Sequence, residues 1–507
     1  MGKGDCKTVA FLTLGCKLNY AETSTYERGF REAGFCVVRW GDSADVYLVN
    51  TCSVTAVADA KSRNLVRKVL RVNPSAVVVV TGCSAQLRRE DYLAIPGVRR
   101  VFGCDEKSLV VPETLGLVRG ADGFCETGSV PPVDVAALPL PQAPPTGPSR
   151  SKPRAAMPTG GTLPVSQKPS AEAKSHDIIA QEGNNHLSKP LSQKELDKAN
   201  SNDAVDSDLQ RKEGAGVFAA WSSGERTRSF LKVQDGCDNF CAYCTVPYAR
   251  GRSRNVPVAE CVRNAEAAAA LGVKEIVLTG VNTGDFGRSS GESFLELLKA
   301  LEGVEGIERY RISSIEPNLL TDGIVDWIAG GTKFQPHFHI PLQTGTDEQL
   351  AAMGRKYTTE FFAGRVDYVR RALEGPGRPL VFFGIDVMVG LPGETDEQFG
   401  RTFAFLRDRV RPAFIHVFPY SRRPGTPAAS MPGQVPEAVK KERVAALEEL
   451  CSWLHSEFVE ANRGVRERVL WESTDRNGII EGYTGNYIRI RRPWEPSLCG
   501  QITDVII

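Results

Sequence analysis

The stretch FLKVQDGCDNFCAYC, residues 230–244, opens as an apolar, strand-like run and closes on three cysteines within eight residues. Cys237, Cys241 and Cys244 follow the spacing C-x3-C-x2-C, and neither Cys261 nor any of the six histidines stands at knuckle spacing from them. A structural zinc site closes a tetrahedron with four ligands, commonly as paired C-x2-C knuckles. A cubane iron–sulfur cluster takes one ligand per iron, so three thiolates leave one iron free for an exogenous group. Position adds to the case, because these cysteines directly follow a strand, where parallel α/β units keep their chemistry.

Working outward, six strand candidates run from residue 227 to about 420: FLKVQ, EIVLTG, RYRISS, FHIPL, FFGIDVMVG and FIHVFPY. Helical patterns such as PVAECVRNAEAAAALG separate them, so the alternation predicts a parallel barrel or open sheet. A long amphipathic helix follows, and this unit is placed at residues 226–462. The tail, 463–507, reads as short strands (RVLWES, GIIEGYT, NYIRIRR) and predicts a small β-barrel.

Residues 1–118 show the same α/β alternation. TVAFLTLGC, VYLVNTC and AVVVVTGC are buried-type strands, each ending in cysteine. Parallel strands bring their carboxyl ends together, so Cys16, Cys52 and Cys83 are expected to converge on a shared metal site. A single cysteine there would read as a small buried hydrophobe; three at equivalent positions do not. Between the two units, residues 119–225 are proline-rich and then polar, too poor in apolar groups to offset chain entropy, and predict a disordered linker.

Bulk composition excludes little. With 62 basic and 61 acidic side chains in 507 residues, an anionic partner must be held by local patches. The 13 cysteines are an odd number, which argues against a disulfide framework. The amino-terminal stretch lacks the pattern of a secretory signal, and no apolar run is long enough to span a bilayer, so a cytoplasmic protein with reduced thiols is expected.

C-x3-C-x2-C after the first strand of a six-strand unit resembles the radical S-adenosylmethionine enzymes. TLGCKLNYAET, VNTCSVTAVADAKSR, VQDGCDNFCAYCTVPYARGRSR, HIPLQTGTD, DVMVGLPGET and HVFPYSRRPGTPAA are similar to the methylthiotransferases, and more narrowly to the branch acting on N6-threonylcarbamoyladenosine in tRNA. The resemblance spans all but the linker. It implies an α/β protein with a Rossmann-like amino-terminal domain, a partial (β/α)6 barrel and a TRAM-like RNA-binding β-barrel. It further implies a [4Fe–4S] cluster on Cys237, Cys241 and Cys244, whose open iron chelates S-adenosylmethionine, and a second [4Fe–4S] cluster carrying sulfur on Cys16, Cys52 and Cys83. One S-adenosylmethionine methylates that sulfur; a second yields the radical that abstracts hydrogen from adenine C2. The implied partners are a tRNA anticodon stem-loop, a flavodoxin- or ferredoxin-like electron donor and a sulfur donor, with no membrane. Isopentenyladenosine in tRNA and an aspartate of a ribosomal protein are the alternative substrates within the family. Thr344 and Thr346 stand where relatives commonly carry serine, which keeps the hydroxyls, and the tail is short for a complete barrel.

Lesser candidates sit beside these motifs. Tyr243 is a candidate to pack on the adenine of S-adenosylmethionine, or simply within its loop. Gly280 and Asn282 end a strand, where backbone and amide would meet the methionine moiety or merely make a turn. Glu316 and Gln343 follow other strand ends and suit ribose or substrate contacts, or capping. Arg63, Arg67 and Arg71, then Arg250, Arg252 and Arg254, then Arg489, Arg491 and Arg492, form basic clusters that suit RNA phosphates.

Overall fold

The computed structural model describes residues 6–53, 56–121, 217–223 and 227–507. The expected linker falls mainly outside these residues. Of its span, 119–121 close the helix Val110–Ala121, and Ala220–Trp221 form a strand, β6.

The amino-terminal run of β-branched residues builds one parallel sheet. Its strands are β1 (Thr8–Thr13), β2 (Cys36–Val38), β3 (Val46–Thr51), β4 (Val77–Gly82) and β5 (Val98–Val101), in the order β2-β1-β3-β4-β5. Every residue of β3 and β4 is buried, as expected of central strands covered on both faces. Two helices matter to the site: α1 (Lys17–Glu32) and α3 (Cys83–Leu87); α2 (Ala56–Val72) connects β3 to β4. At the opposite sheet edge, parallel pairing of Thr8 with Cys36 brings Cys6 alongside, and the structure joins Cys6 to Cys36 in a disulfide that sequence reading did not expect.

All six central strand candidates form. They are β7 (Arg228–Lys232), β10 (Glu275–Thr279), β11 (Arg309–Ile312), β12 (His337–Gln343), β13 (Phe382–Val389) and β14 (Phe414–Pro419). They pair in parallel as two arcs, β11-β10-β7 and β12-β13-β14, which meet where Tyr310 bridges Phe334. Strand β6 extends the first arc antiparallel to β7. Alternation assigns the faces: Leu231, Ile276, Leu278, Tyr310, Phe338, Ile340, Phe383 and Ile415 join the outer apolar core under the helices. Their neighbours in sequence therefore face the barrel interior. A two-residue ribbon, β8 (Gln234–Asp235) against β9 (Arg254–Asn255), closes the base of the cysteine loop.

The tail is a four-stranded antiparallel half-barrel of β15 (Arg466–Trp471), β16 (Ile479–Tyr483), β17 (Arg489–Pro493) and β18 (Ile502–Ile506), ordered β17-β16-β15-β18. Its β16–β17 turn stops the amino-terminal mouth of the barrel. Arg311 donates to the carbonyls of Thr484 and Gly485 at 2.8 and 2.7 Å, Arg228 donates to the Tyr487 hydroxyl at 2.8 Å, and Arg309 reaches the Tyr483 carbonyl at 3.1 Å. No helix among the described residues is long and apolar enough to cross a membrane.

Candidate active site

The loop after β8 turns sharply at Gly236, whose φ is +75°. A Cβ there would lie 1.9 Å from the Arg252 carbonyl oxygen, so only glycine fits. The loop is pinned by Cys237 N–H to Gly251 O at 3.1 Å and Ala242 N–H to Met353 O at 3.0 Å. Each cysteine sulfur meets a donor: Asn239 N–H to Cys237 at 3.5 Å, Val246 N–H to Cys244 at 3.4 Å and Arg355 Nη1 to Cys241 at 3.1 Å. Burial pushes the Cys237 and Cys244 thiols up to about 12, so a metal bound there would have to displace protons from them.

Arg355 gathers much of this site. Its Nη2 donates to both Glu316 oxygens at 2.6 and 2.7 Å, its Nη1 to the Tyr243 hydroxyl at 3.4 Å and its Nε to the Tyr357 hydroxyl at 3.1 Å. Cys241, Tyr243 and Glu316 thus share one guanidinium, and Tyr357 ties them to β12 by donating to Pro341 O at 2.5 Å. Burial raises the Glu316 carboxyl, with Arg355 opposing it. Asn282 is used structurally: its amide donates to Asp285 at 3.0 Å and its side-chain oxygen accepts from Glu316 N–H at 3.3 Å. Gly280 packs on Gln234, whose amide oxygen accepts the N–H groups of Val281 and Asn282. Gln343 is a buried non-glycine residue at φ +71°, at a register shift in β12, the kind of backbone outlier found at ligand clamps.

The other three cysteines stand where adjacency of β1, β3 and β4 puts them, at one edge of the first sheet. Cys16 precedes α1, Cys52 follows β3 and Cys83 opens α3. Gly15, at φ +106°, makes room between them, since a Cβ would lie 2.8 Å from Cys52 Sγ. A fourth cysteine, Cys104, ends the neighbouring β5 and packs on Cys83 with Ala249 and Leu87. It repeats the strand–Gly–Cys pattern and was passed over in the sequence.

The two triads are connected by Arg250. It closes the helix Val246–Arg250 just after the cysteine loop, yet it crosses to the first sheet. Its Nε donates to Cys83 Sγ at 3.0 Å, its Nη2 to Asn19 Oδ1 at 2.6 Å and its Nη1 to Asp235 at 2.8 Å. Expected from sequence as an RNA contact, it is only 2% exposed and cannot reach solvent RNA. Its neighbours Lys107 and Lys232 bind Glu22 at 2.5 and 2.8 Å, and Lys232 binds Asp235 at 2.6 Å. Burial alone would raise Glu22, but Lys107, Lys232 and Arg250 outweigh it and hold the carboxyl at about 2. Three buried cations thus face two carboxylates. The excess positive charge is directed at Cys83, whose thiol is lowered by its Cys104 contact and by Arg250.

These donor sets fit iron–sulfur clusters: soft sulfurs in threes, with N–H and guanidinium donors on them, the features that stabilise and tune cluster thiolates. Arg252 remains on the surface, while Arg489 and Arg491 flank Glu481 at 3.7 and 2.7 Å.

The radical SAM superfamily model matches residues 231–406, and that of uncharacterized protein family UPF0004 matches residues 8–103. The chain is 34% identical to a threonylcarbamoyladenosine tRNA methylthiotransferase MtaB of Bacillus subtilis, over 99% of this chain and 93% of the relative. A protein of that name from Aquifex aeolicus is 32% identical over 96% of each chain. A tRNA-2-methylthio-N(6)-dimethylallyladenosine synthase of Pelotomaculum thermopropionicum is 28% identical, over 99% of this chain and 95% of the relative. With a cysteine triad in each of the two matched regions and relatives of this likeness along nearly the whole length, the chain belongs to the radical S-adenosylmethionine methylthiotransferase family.

Proposed function

We propose that the protein methylthiolates C2 of N6-threonylcarbamoyladenosine beside the anticodon of tRNA. One [4Fe–4S] cluster would sit on Cys237, Cys241 and Cys244, and a second on Cys16, Cys52 and Cys83. The observation that carries this reading is Arg250, which spans from the loop of one triad to a sulfur of the other and makes them parts of one buried network. The names of relatives at 34% and 32% identity support the threonylcarbamoyl substrate.

When bound, the clusters and S-adenosylmethionine supply the electron, the hydrogen-abstracting radical and the sulfur, because adenine C2–H is too inert for a side-chain base. The chain's own groups hold and insulate. Arg355 fixes Glu316 and Tyr243 beside Cys241, so Glu316 is held as an acceptor for a ribose and Tyr243 as a wall for an adenine ring. Gln343, at its left-handed backbone position, would extend that rim, while Asn282 and Gly280 hold the strand-end turn behind Glu316. Arg250 and Asn19 orient the second triad. A flavodoxin- or ferredoxin-like donor and a sulfur donor are required for turnover. The test is mass spectrometry of tRNA nucleosides from cells with and without the gene. Loss of the methylthio derivative of threonylcarbamoyladenosine is expected; its persistence, or loss of the isopentenyl derivative instead, would refute the assignment.

A further inference from the structure

The barrel interior has two unlike walls. On β7, β10 and β11 the inward residues are consumed by protein: Arg311 pairs with Glu275 at 2.8 Å, Lys232 with Glu22, and Phe230 and Val277 pack with Ala21 of α1. Tyr20 of α1 meets the Phe230 ring edge-on at 5.6 Å, so the first turns of α1 lie against the inside of this wall. Lys17, the residue after Cys16, is exposed at the start of that helix, one turn before Tyr20 and Ala21 and on the same face, which directs it toward the interior.

The opposite wall is open. His339 on β12, Asp386 on β13 and His416 on β14 all point inward from three adjacent strands, and their ligand atoms lie within 4.8 Å of one another. His339 Nε2 is 2.7 Å from Asp386 Oδ1, and the two imidazole centroids are 5.0 Å apart. Beside them on the inward face of β14, Phe414 and Phe418 are 37% and 42% exposed, and Phe414 contacts His416 at 4.8 Å between centroids. Core packing explains none of this, since the outward residues of the same strands form the core.

The chemistry is that of a nucleobase receptor. Exposed aromatic rings stack on a splayed base, and a carboxylate and imidazole read the donors and acceptors of its edge. An ammonium and a second imidazole suit an anionic appendage. The three donors also suit a divalent metal, but the ammonium of Lys17, directed into the same interior, favours an anion over a dication.

We propose that this wall, with Lys17, receives the substrate base: His339 and Asp386 read its edge, and Lys17 and His416 engage the carboxylate of its N6 substituent. This deepens the function proposed above and rests on it. It also assigns the discrimination between carboxylate-bearing and unsubstituted adenosine to residues that no cysteine motif includes.

The test uses the anaerobic, cluster-loaded full chain and two anticodon stem-loop RNAs that differ only in the threonylcarbamoyl group. Binding is read by fluorescence anisotropy. Wild type should prefer the modified RNA by about tenfold or more, as sites built around a polar group do. Lys17→Met and His416→Phe should bring that ratio close to one while leaving affinity for the unmodified RNA, which comes from phosphate contacts, unchanged. Lys17→Arg should keep the preference. Iron content equal to that of wild type, together with cleavage of S-adenosylmethionine without RNA, verifies that each variant is folded and loaded on both triads. An unchanged ratio in both variants overturns the proposal, as does an equal loss for both RNAs. So does zinc that copurifies with wild type and is absent from Asp386→Asn, which would make this wall a metal site. Failure of the wild type to methylthiolate the modified RNA would instead refute the function proposed above.

Discussion

The two cysteine triads reach similar surroundings by opposite routes. Cys237, Cys241 and Cys244 lie on one loop, and their guanidinium donor, Arg355, belongs to the same barrel. Cys16, Cys52 and Cys83 are gathered from three strand ends, and their donor, Arg250, comes from the other unit. The first triad is complete within its own fold, whereas the second is complete only once sheet and barrel have packed. Independence therefore belongs to the loop triad and dependence to the gathered one.

Removing the self-contained triad should have the largest effect. Cys237, Cys241 and Cys244 all changed to Ala should abolish formation of 5′-deoxyadenosine and of product and remove about half the iron. Retention of full iron and cleavage would break the distinction at once. Changing Cys16, Cys52 and Cys83 to Ala should leave cleavage of S-adenosylmethionine intact, with dithionite as reductant, and eliminate methylthiolated nucleoside. Product above background from that variant would contradict the two-cluster assignment.

The arginines sharpen the contrast. Arg355→Met should lower cleavage by about 10–100-fold, the usual penalty for losing a group that orients metal-site ligands, while iron on the gathered triad stays. Arg250→Met should do the reverse. It removes the donor on Cys83 and one hydrogen-bonded partner of Asp235, while Lys107 and Lys232 still neutralise Glu22 and Asp235, so the stability loss should be about 1.5–3 kcal/mol, read as a lower Tm, with iron lost from the gathered triad first. Equal behaviour of the two variants would erase the difference between the sites.

The smallest effect is in acid. Glu22 is held at about 2, below its ordinary 4.5, so the stability it lends is complete above about pH 4.5 and drains away as pH falls through 2. Shifts of this size correspond to about 3 kcal/mol at most. Glu22→Gln should flatten the decline of unfolding free energy between those pH values, followed by circular dichroism; a slope equal to that of wild type would show that the network does not depend on this carboxylate.

The long apolar strands were legible because buried parallel strands are written as apolar, β-branched-rich runs closed by a turn residue, glycine in β4 and β13 and Asn-Thr in β3. The short edge strands β2 and β5 bury few residues and carry little of that signal. The tail's β18, ITDVI, has no fully buried position and was missed for the same reason. In the site, the loop triad was readable from spacing and the gathered triad from its equivalent placement after three strands. The arginines were not. YARGRSR reads as a solvated basic patch, and only packing of the two units reveals that its first arginine is buried. Likewise His339, Asp386 and His416 are separated by dozens of residues, and strand adjacency alone brings them together.

The turn that stops the barrel mouth has a mechanical meaning. Because Arg228, Arg309 and Arg311 clasp residues 483–487, the tail sheet is bolted to the floor of the reaction chamber rather than tethered beside it. Anything held on that sheet would therefore stand at a fixed distance from the chamber; were it the tRNA of the proposed reaction, position along the stem would help to choose the nucleotide presented.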